Sequence, residues 1–184
     1  MLIGITGTFG SGKGAVVDYL VSRKGFRHVS ARQIWTIELE SRNLPVNRDT
    51  MTAFANEMRA EHGPAYFMER ALATVVDPDE NVVIESVRTI SEADLLKRNQ
   101  GVLLAVDADI KERYRRISGR GSALDNVSYE DFVRQESAEM ANSDPNKQNV
   151  AKVTTMANYV IDNNKSLKEL RGNVDIFLNK YKND

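Results

Sequence analysis

The chain has no cysteine among its 184 residues. That removes disulfides, thiolate metal sites and cysteine nucleophiles from every functional scheme. No apolar run approaches the length of a membrane-spanning helix. An excess of one charge is missing too: 25 Lys and Arg face 26 Asp and Glu. This balance argues against a dedicated nucleic-acid binder while leaving room for a local basic site. There are no repeats or low-complexity stretches, and the four prolines form no linker that would split the chain. A strand-like run begins within a residue or two of Met1, leaving no room for a signal peptide, so a soluble cytoplasmic protein is expected. On that expectation the two sequon matches, Asn126-Val127-Ser128 and Asn164-Lys165-Ser166, are chance.

What is present is most informative near the start. Leu2-Ile3-Gly4-Ile5-Thr6 leads straight into Gly7-Thr8-Phe9-Gly10-Ser11-Gly12-Lys13-Gly14, and a helical pattern with Val16, Val17, Leu20 and Val21 follows. This is the G-x-x-x-x-G-K core of a phosphate-binding loop between a strand and a helix. The glycines let the backbone curl and present successive N–H groups to anionic oxygens. The helix dipole adds positive potential, and the Lys13 ammonium can reach the outer phosphates. The loop from Gly7 to Ala15 is therefore the expected nucleotide site. The Ser or Thr that follows the lysine in many such loops, whose hydroxyl ligates magnesium, is Gly14 here, with Ala15 after it.

Four more short β-branched runs punctuate helical stretches: Phe26 to Val29, Asn81 to Ile84, Val102 to Val106 and Asn158 to Ile161. Such alternation, with a phosphate loop after the first strand, predicts an α/β fold: a five-stranded, doubly wound parallel sheet. The expected organisation is one domain, with a core at 1–30, 76–118 and 149–184, a helical insertion at 31–75 and a lid at 119–148. In the insertion, Asn47 can cap a helix from Arg48 that Gly63-Pro64 ends, with Pro64 opening the next. The closing helix should dock through Leu167, Leu170, Val174, Leu178 and Tyr181.

Several charged residues could do chemistry. Glu85 ends the third strand, where open α/β sheets form their ligand crevice, and could hold a magnesium-bound water. Arg88 could fork onto an acceptor phosphate. Arg113, Arg116 and Arg120 fall at i, i+3 and i+7 and would share a helix face opposite Ile110, Tyr114 and Ile117, with Asp109 capping the start. Positive charge there suits phosphoryl transfer, and Gly119 and Gly121 make a hinge credible. Arg48 and Arg59, three helical turns apart, cannot grip one phosphate together; either could be an acceptor contact, as could Arg32. His28 and His62 have no partners at metal or triad spacing and read as structural or solvated.

Together, Gly7 to Gly14, Ser30 after the second strand, Gly63-Pro64, the acid-x-x-Arg of Glu85 to Arg88 and the lid arginines resemble the nucleoside-monophosphate-kinase group of P-loop kinases. That group includes adenylate and dephospho-CoA kinases; the nearest likeness is to small adenylate-kinase-related ATPases. The resemblance implies that the glycine loop holds ATP with Mg2+, that the insertion binds a small phosphorylated acceptor near Ser30, and that an arginine-bearing lid closes over the transferring group. One stretch departs from the pattern. Adenylate kinases follow the second strand with S-T-G-D-x-x-R, whereas this chain reads Ser30-Ala31-Arg32-Gln33-Ile34-Trp35-Thr36, without that acid or that arginine. The expected function is ATP- and magnesium-dependent phosphoryl transfer to a nucleoside monophosphate or a coenzyme-A precursor. The alternative is a nucleotide-binding switch or interaction ATPase with little turnover. A GTPase is disfavoured because Asn164-Lys165-Ser166-Leu167 lacks the carboxylate of N-K-x-D.

Overall fold

A computed structural model describes residues 1–119 and 128–181, and at Arg48 the backbone alone. In chain order the elements are β1 (Leu2–Thr6), α1 (Lys13–Lys24), β2 (Arg27–Ser30), α2 (Ala31–Ser41), α3 (Arg48–His62), α4 (Tyr66–Leu72), β3 (Val82–Glu85) and α5 (Ile90–Arg98). Then come β4 (Val102–Asp107), α6 (Ile110–Ser118), α7 (Tyr129–Met140), α8 (Val150–Thr155), β5 (Tyr159–Asp162) and α9 (Leu167–Tyr181). The five strands are all parallel, in the order β2-β3-β1-β4-β5. The winding direction changes beside β1, so the crevice beyond the strands' carboxyl ends opens where the glycine loop stands.

Side-chain alternation along the strands splits the core in two. Val82, Ile84 and Leu103 face a layer containing Trp35, Leu39, Phe54, Met58, Phe67 and Leu96. Ile3, Ile5, Val83, Leu104 and Val106 face the other layer, with Val16, Leu20, Val174 and Phe177. The insertion helices thus share one apolar cluster with β2, β3 and α5. Removing a side chain as large as Phe67 from such a cluster costs about 3–5 kcal/mol.

Three strands lie one residue later than the apolar runs indicate, because backbone pairing sets their ends. Arg27 pairs with Val82 and Ser30 with Glu85, while Phe26 contributes a buried ring from the turn after Gly25. Asn47 caps α3 by accepting from Thr50 N. Pro64 is not the first residue of α4. It lies in the turn closed by Tyr66 N donating to Gly63 O at 3.1 Å, and its carbonyl accepts from Thr89 Oγ1 at 2.7 Å. Asp109 caps α6 without its side chain; its N–H donates instead to Asn164 Oδ1 at 2.7 Å. Arg113 is not on the face opposite Ile117: one turn apart, both are buried. In α9, Leu170, Val174 and Leu178 dock as expected, Phe177 joins them, and Leu167 stays exposed.

Candidate active site

The glycine loop is shaped by backbone that only glycine tolerates. Gly7 and Gly12 have φ of 138° and 103°. A Cβ at Gly7 would collide with the Val106 carbonyl oxygen, and one at Gly12 with Asn163 Nδ2. The loop is tied from outside by the ends of β4 and β5. Thr8 Oγ1 donates to Asp107 Oδ1 at 2.8 Å, and Asn163 Nδ2 donates to Ser11 O at 2.8 Å. Lys13 opens α1, is buried, and donates to Gly7 O at 2.9 Å and Thr8 O at 2.7 Å. A Cβ at Gly14 would meet nothing within 4 Å. Space therefore does not exclude a Ser or Thr there, and the missing hydroxyl is a chemical difference alone.

From this loop a cavity of about 550 Å³ runs toward α2 and α3. Phe9, Gly10, Gly12, Lys13, Gly14 and Ala15 line it at the glycine loop. Ser30, Arg32, Arg59, Glu85 and Arg88 line the rest, so the structure gathers these predicted residues around one space. Its apolar floor includes Trp35, Met51 and Ala55. Trp35 is fixed by an edge contact to Phe54 and a stacked one to Tyr66, with ring centroids 5.8 and 6.3 Å apart.

Glu85 sits at the sheet end beside Ser30, its cross-strand partner. Burial alone would raise its pKa, but the hydrogen bond from His28 and the charges of His28, Lys13 and Arg88 outweigh that, holding it below the ordinary glutamate range. His28 Nε2 lies 3.1 Å from Glu85 Oε2, so His28 does have a partner, reached across neighbouring strands. Ser86 follows with φ of 74°, a conformation that costs a non-glycine residue about 1–3 kcal/mol and clusters at functional sites. Its N–H and that of Val87 both donate to Ile5 O. No group of three or more His, Asp or Glu residues suited to a metal cage occurs among the described residues. One ionised carboxylate facing the phosphate loop is nevertheless how magnesium is usually held, with waters and phosphate oxygens completing its shell. Glu85 fits that part.

The arginines divide sharply. Arg59 donates from Nε to Glu92 Oε1 at 3.0 Å, the side chains being 3% and 0% exposed. Glu92 also accepts from the N–H groups of Arg88 and Thr89, at 2.7 and 3.1 Å. Arg113 binds Ala108 O, Phe9 O and the Glu136 carboxylate of α7. Arg88 Nη1 donates to Glu139 at 2.8 Å. Arg116 Nη2 donates to Asn163 O at 2.7 Å, and its Nη1 is buried with no hydrogen-bond partner among the described residues. Arg32 is exposed at the cavity edge. The Arg48 side chain and Arg120, with Gly121, lie outside the described residues. Sequence reasoning missed Trp35, Glu139, Gln148 and Asn163. Of these, only Asn163 carried a signal, its place just past a strand's carboxyl end.

The family described as AAA domain matches residues 3–142. A UPF0200 protein of Pyrobaculum aerophilum is 31% identical over 172 residues, covering 92% of this chain and 91% of its own. Another, from Methanococcus vannielii, is 28% identical, with 97% and 95% covered. Among solved structures, TT1252 from Thermus thermophilus superposes with a TM-score of 0.65 at 20% identity, covering 98% of this chain and 97% of its own. Shikimate kinase from Bacteroides thetaiotaomicron gives 0.62 at 17%, with 99% and 98% covered. A gluconokinase from Sinorhizobium meliloti gives 0.58 at 16%, with 97% and 91% covered. The fold is that of P-loop kinases. No helix among the described residues is long and apolar enough to cross a membrane.

Proposed function

The chain belongs to the AAA-domain family and to the UPF0200 proteins, and from that premise we propose a magnesium- and ATP-dependent kinase acting on a small phosphorylated acceptor. The acceptor is of nucleoside-monophosphate or coenzyme-A-precursor type. One observation carries the reading: a single cavity is lined by Lys13 and the glycine loop, by Glu85, and by Arg32 and Arg88. An acceptor oxygen (an ionised phosphate oxygen of a monophosphate, or a hydroxyl whose proton passes to water) forms the new P–O bond as the bond from the γ-phosphorus to its bridging oxygen breaks, and ADP leaves. Lys13 and the loop amides hold the β- and γ-phosphates and offset charge that builds on them. Magnesium, when bound, would neutralise the same oxygens, with Glu85 anchoring its water. The apolar floor at Trp35 excludes bulk water from the acceptor and gives a planar group a face to rest on. Kinase names among the structural neighbours agree with this reading.

The test is a panel of nucleoside monophosphates and coenzyme-A precursors incubated with γ-labelled ATP. Label should move to one of them, and Lys13→Ala should slow the transfer on the order of 10²–10³-fold. A second reading has its own observation. Arg59 and Arg113 are already buried in ion pairs, which suits a module that holds nucleotide with little turnover. ATP binding without label transfer to any acceptor would favour it.

A further inference from the structure

One wall of the cavity holds an ion pair that phosphoryl transfer by itself leaves unexplained. Arg88, just past β3, and Glu139, in the last turn of α7, both line the space and meet at 2.8 Å with side chains 17% and 12% exposed. Gln148 stands in the same wall, buried, and its Oε1 has no hydrogen-bond partner among the described residues. Two hydrogen bonds, one from a backbone N–H and one from a side-chain amide, tie these segments together. Asn149 N donates to Arg88 O at 2.9 Å, and Asn142 Nδ2, just beyond α7, donates to Gln148 O at 2.7 Å. Arg59–Glu92 offers the contrast. There the carboxylate is fully buried and also receives two backbone N–H groups, an arrangement that knits α3 to α5. Of that pair only Arg59 lines the cavity, whereas both Arg88 and Glu139 face the space a ligand would fill.

A carboxylate presents a guanidinium with the same planar pair of anionic oxygens as one face of a phosphate. We propose that Glu139 is an internal stand-in for the acceptor: it occupies Arg88 until a phosphate-like dianion displaces it, and that displacement uncovers Gln148 Oε1, which then accepts a hydrogen bond from a hydroxyl or amine of the same ligand. This rests on the phosphoryl-transfer reading and narrows its substrate class to a phosphate monoester with a nearby donor. The exchange selects by charge. A neutral molecule gives Arg88 nothing in place of the lost pair, whereas a dianion replaces one negative charge with two. Gln148 gains because a buried acceptor left without a donor is costly. Glu139, once displaced, must reach water, so the last turn of α7 shifts as the acceptor binds.

The test titrates inorganic phosphate by calorimetry into protein already saturated with magnesium and a non-hydrolysable ATP analogue, so that the glycine loop is filled. Glu139→Gln should tighten phosphate binding about tenfold, and in an Arg88→Ala background it should change nothing. No gain, or the same gain without Arg88, overturns the proposal, because the second result is only the loss of a nearby negative charge. Glu139→Asp, one methylene shorter, should give a smaller gain and carries the test if the Gln variant does not fold. Gln148→Leu should weaken glycerol 3-phosphate about fivefold and leave methyl phosphate unchanged; equal effects remove Gln148 from the subsite. If the analogue itself fails to bind, the phosphoryl-transfer reading falls and takes this proposal with it. If it binds and Glu139→Gln has no effect, only this proposal falls.

Discussion

The two ends of the cavity are made differently. The donor end is backbone: three glycines at positive φ, a helix start and one lysine, braced by Asp107 and Asn163. The acceptor end is side chains drawn from α2, α3, α7 and the turn after β3, with guanidinium groups set against carboxylates. A backbone cradle can take any triphosphate tail, so it fixes a class of reaction. On the proposed reading, a wall of paired side chains would decide which second substrate is worth the loss of a pair.

Four variants would sharpen or break that contrast. The largest effect should come from Lys13→Ala, whose loss of a charge-assisted donor on the phosphates lowers turnover on the order of 10²–10³-fold. Single-turnover assays measure it; a loss below about threefold would detach the lysine from the chemistry. Next is Glu92→Ala, which strands Arg59 in the core and should cost about 3–5 kcal/mol of stability. Urea unfolding measures that cost, and ATP affinity of the folded protein should stay as it was. A loss of ATP affinity would mean that the two ends are not separable.

The third concerns pH. Glu85 has a folded pKa below its unfolded one. Its stabilisation is therefore complete above the unfolded glutamate range and disappears as pH falls through the folded value. Glu85→Gln should flatten the acid limb of the stability curve, read from urea midpoints between about pH 7 and about pH 3. An unchanged limb would show that His28, Lys13 and Arg88 do not hold the carboxylate charged. The smallest effect belongs to Thr8→Ala, which removes one brace to Asp107. A cost of about 0.5–1.5 kcal/mol is expected, with ATP affinity nearly intact. A loss as large as that of Lys13→Ala would make the loop's shape, and not its charge, the controlling factor.

The same contrast explains what could be read from sequence. Gly7 to Lys13 was legible because a positive φ demands glycine and a phosphate demands a cation, both local requirements. The five-stranded parallel sheet was legible because its buried strands are continuous apolar runs. The place of Glu85 in the cavity lining was legible from its strand end. The role of His28 is not legible from sequence spacing, because its partner lies fifty-seven residues away and meets it only across adjacent strands. Arg113 stands three residues after Ile110 and four before Ile117, so its spacing places it beside the apolar stripe, although a charged residue reads as solvated. Its burial depends on Glu136, which a helix outside the stripe supplies. The one-residue drift at β2, β3 and β5 reflects pairing register, which apolar content does not encode.

The central claim is that the glycine loop and Lys13 grip a triphosphate. Calorimetric titration of the wild-type protein with ATP and magnesium tests it most directly. The account predicts one site per chain, with Lys13→Ala removing most of the affinity. A flat trace with both ATP and GTP, from protein that is demonstrably folded, would contradict it.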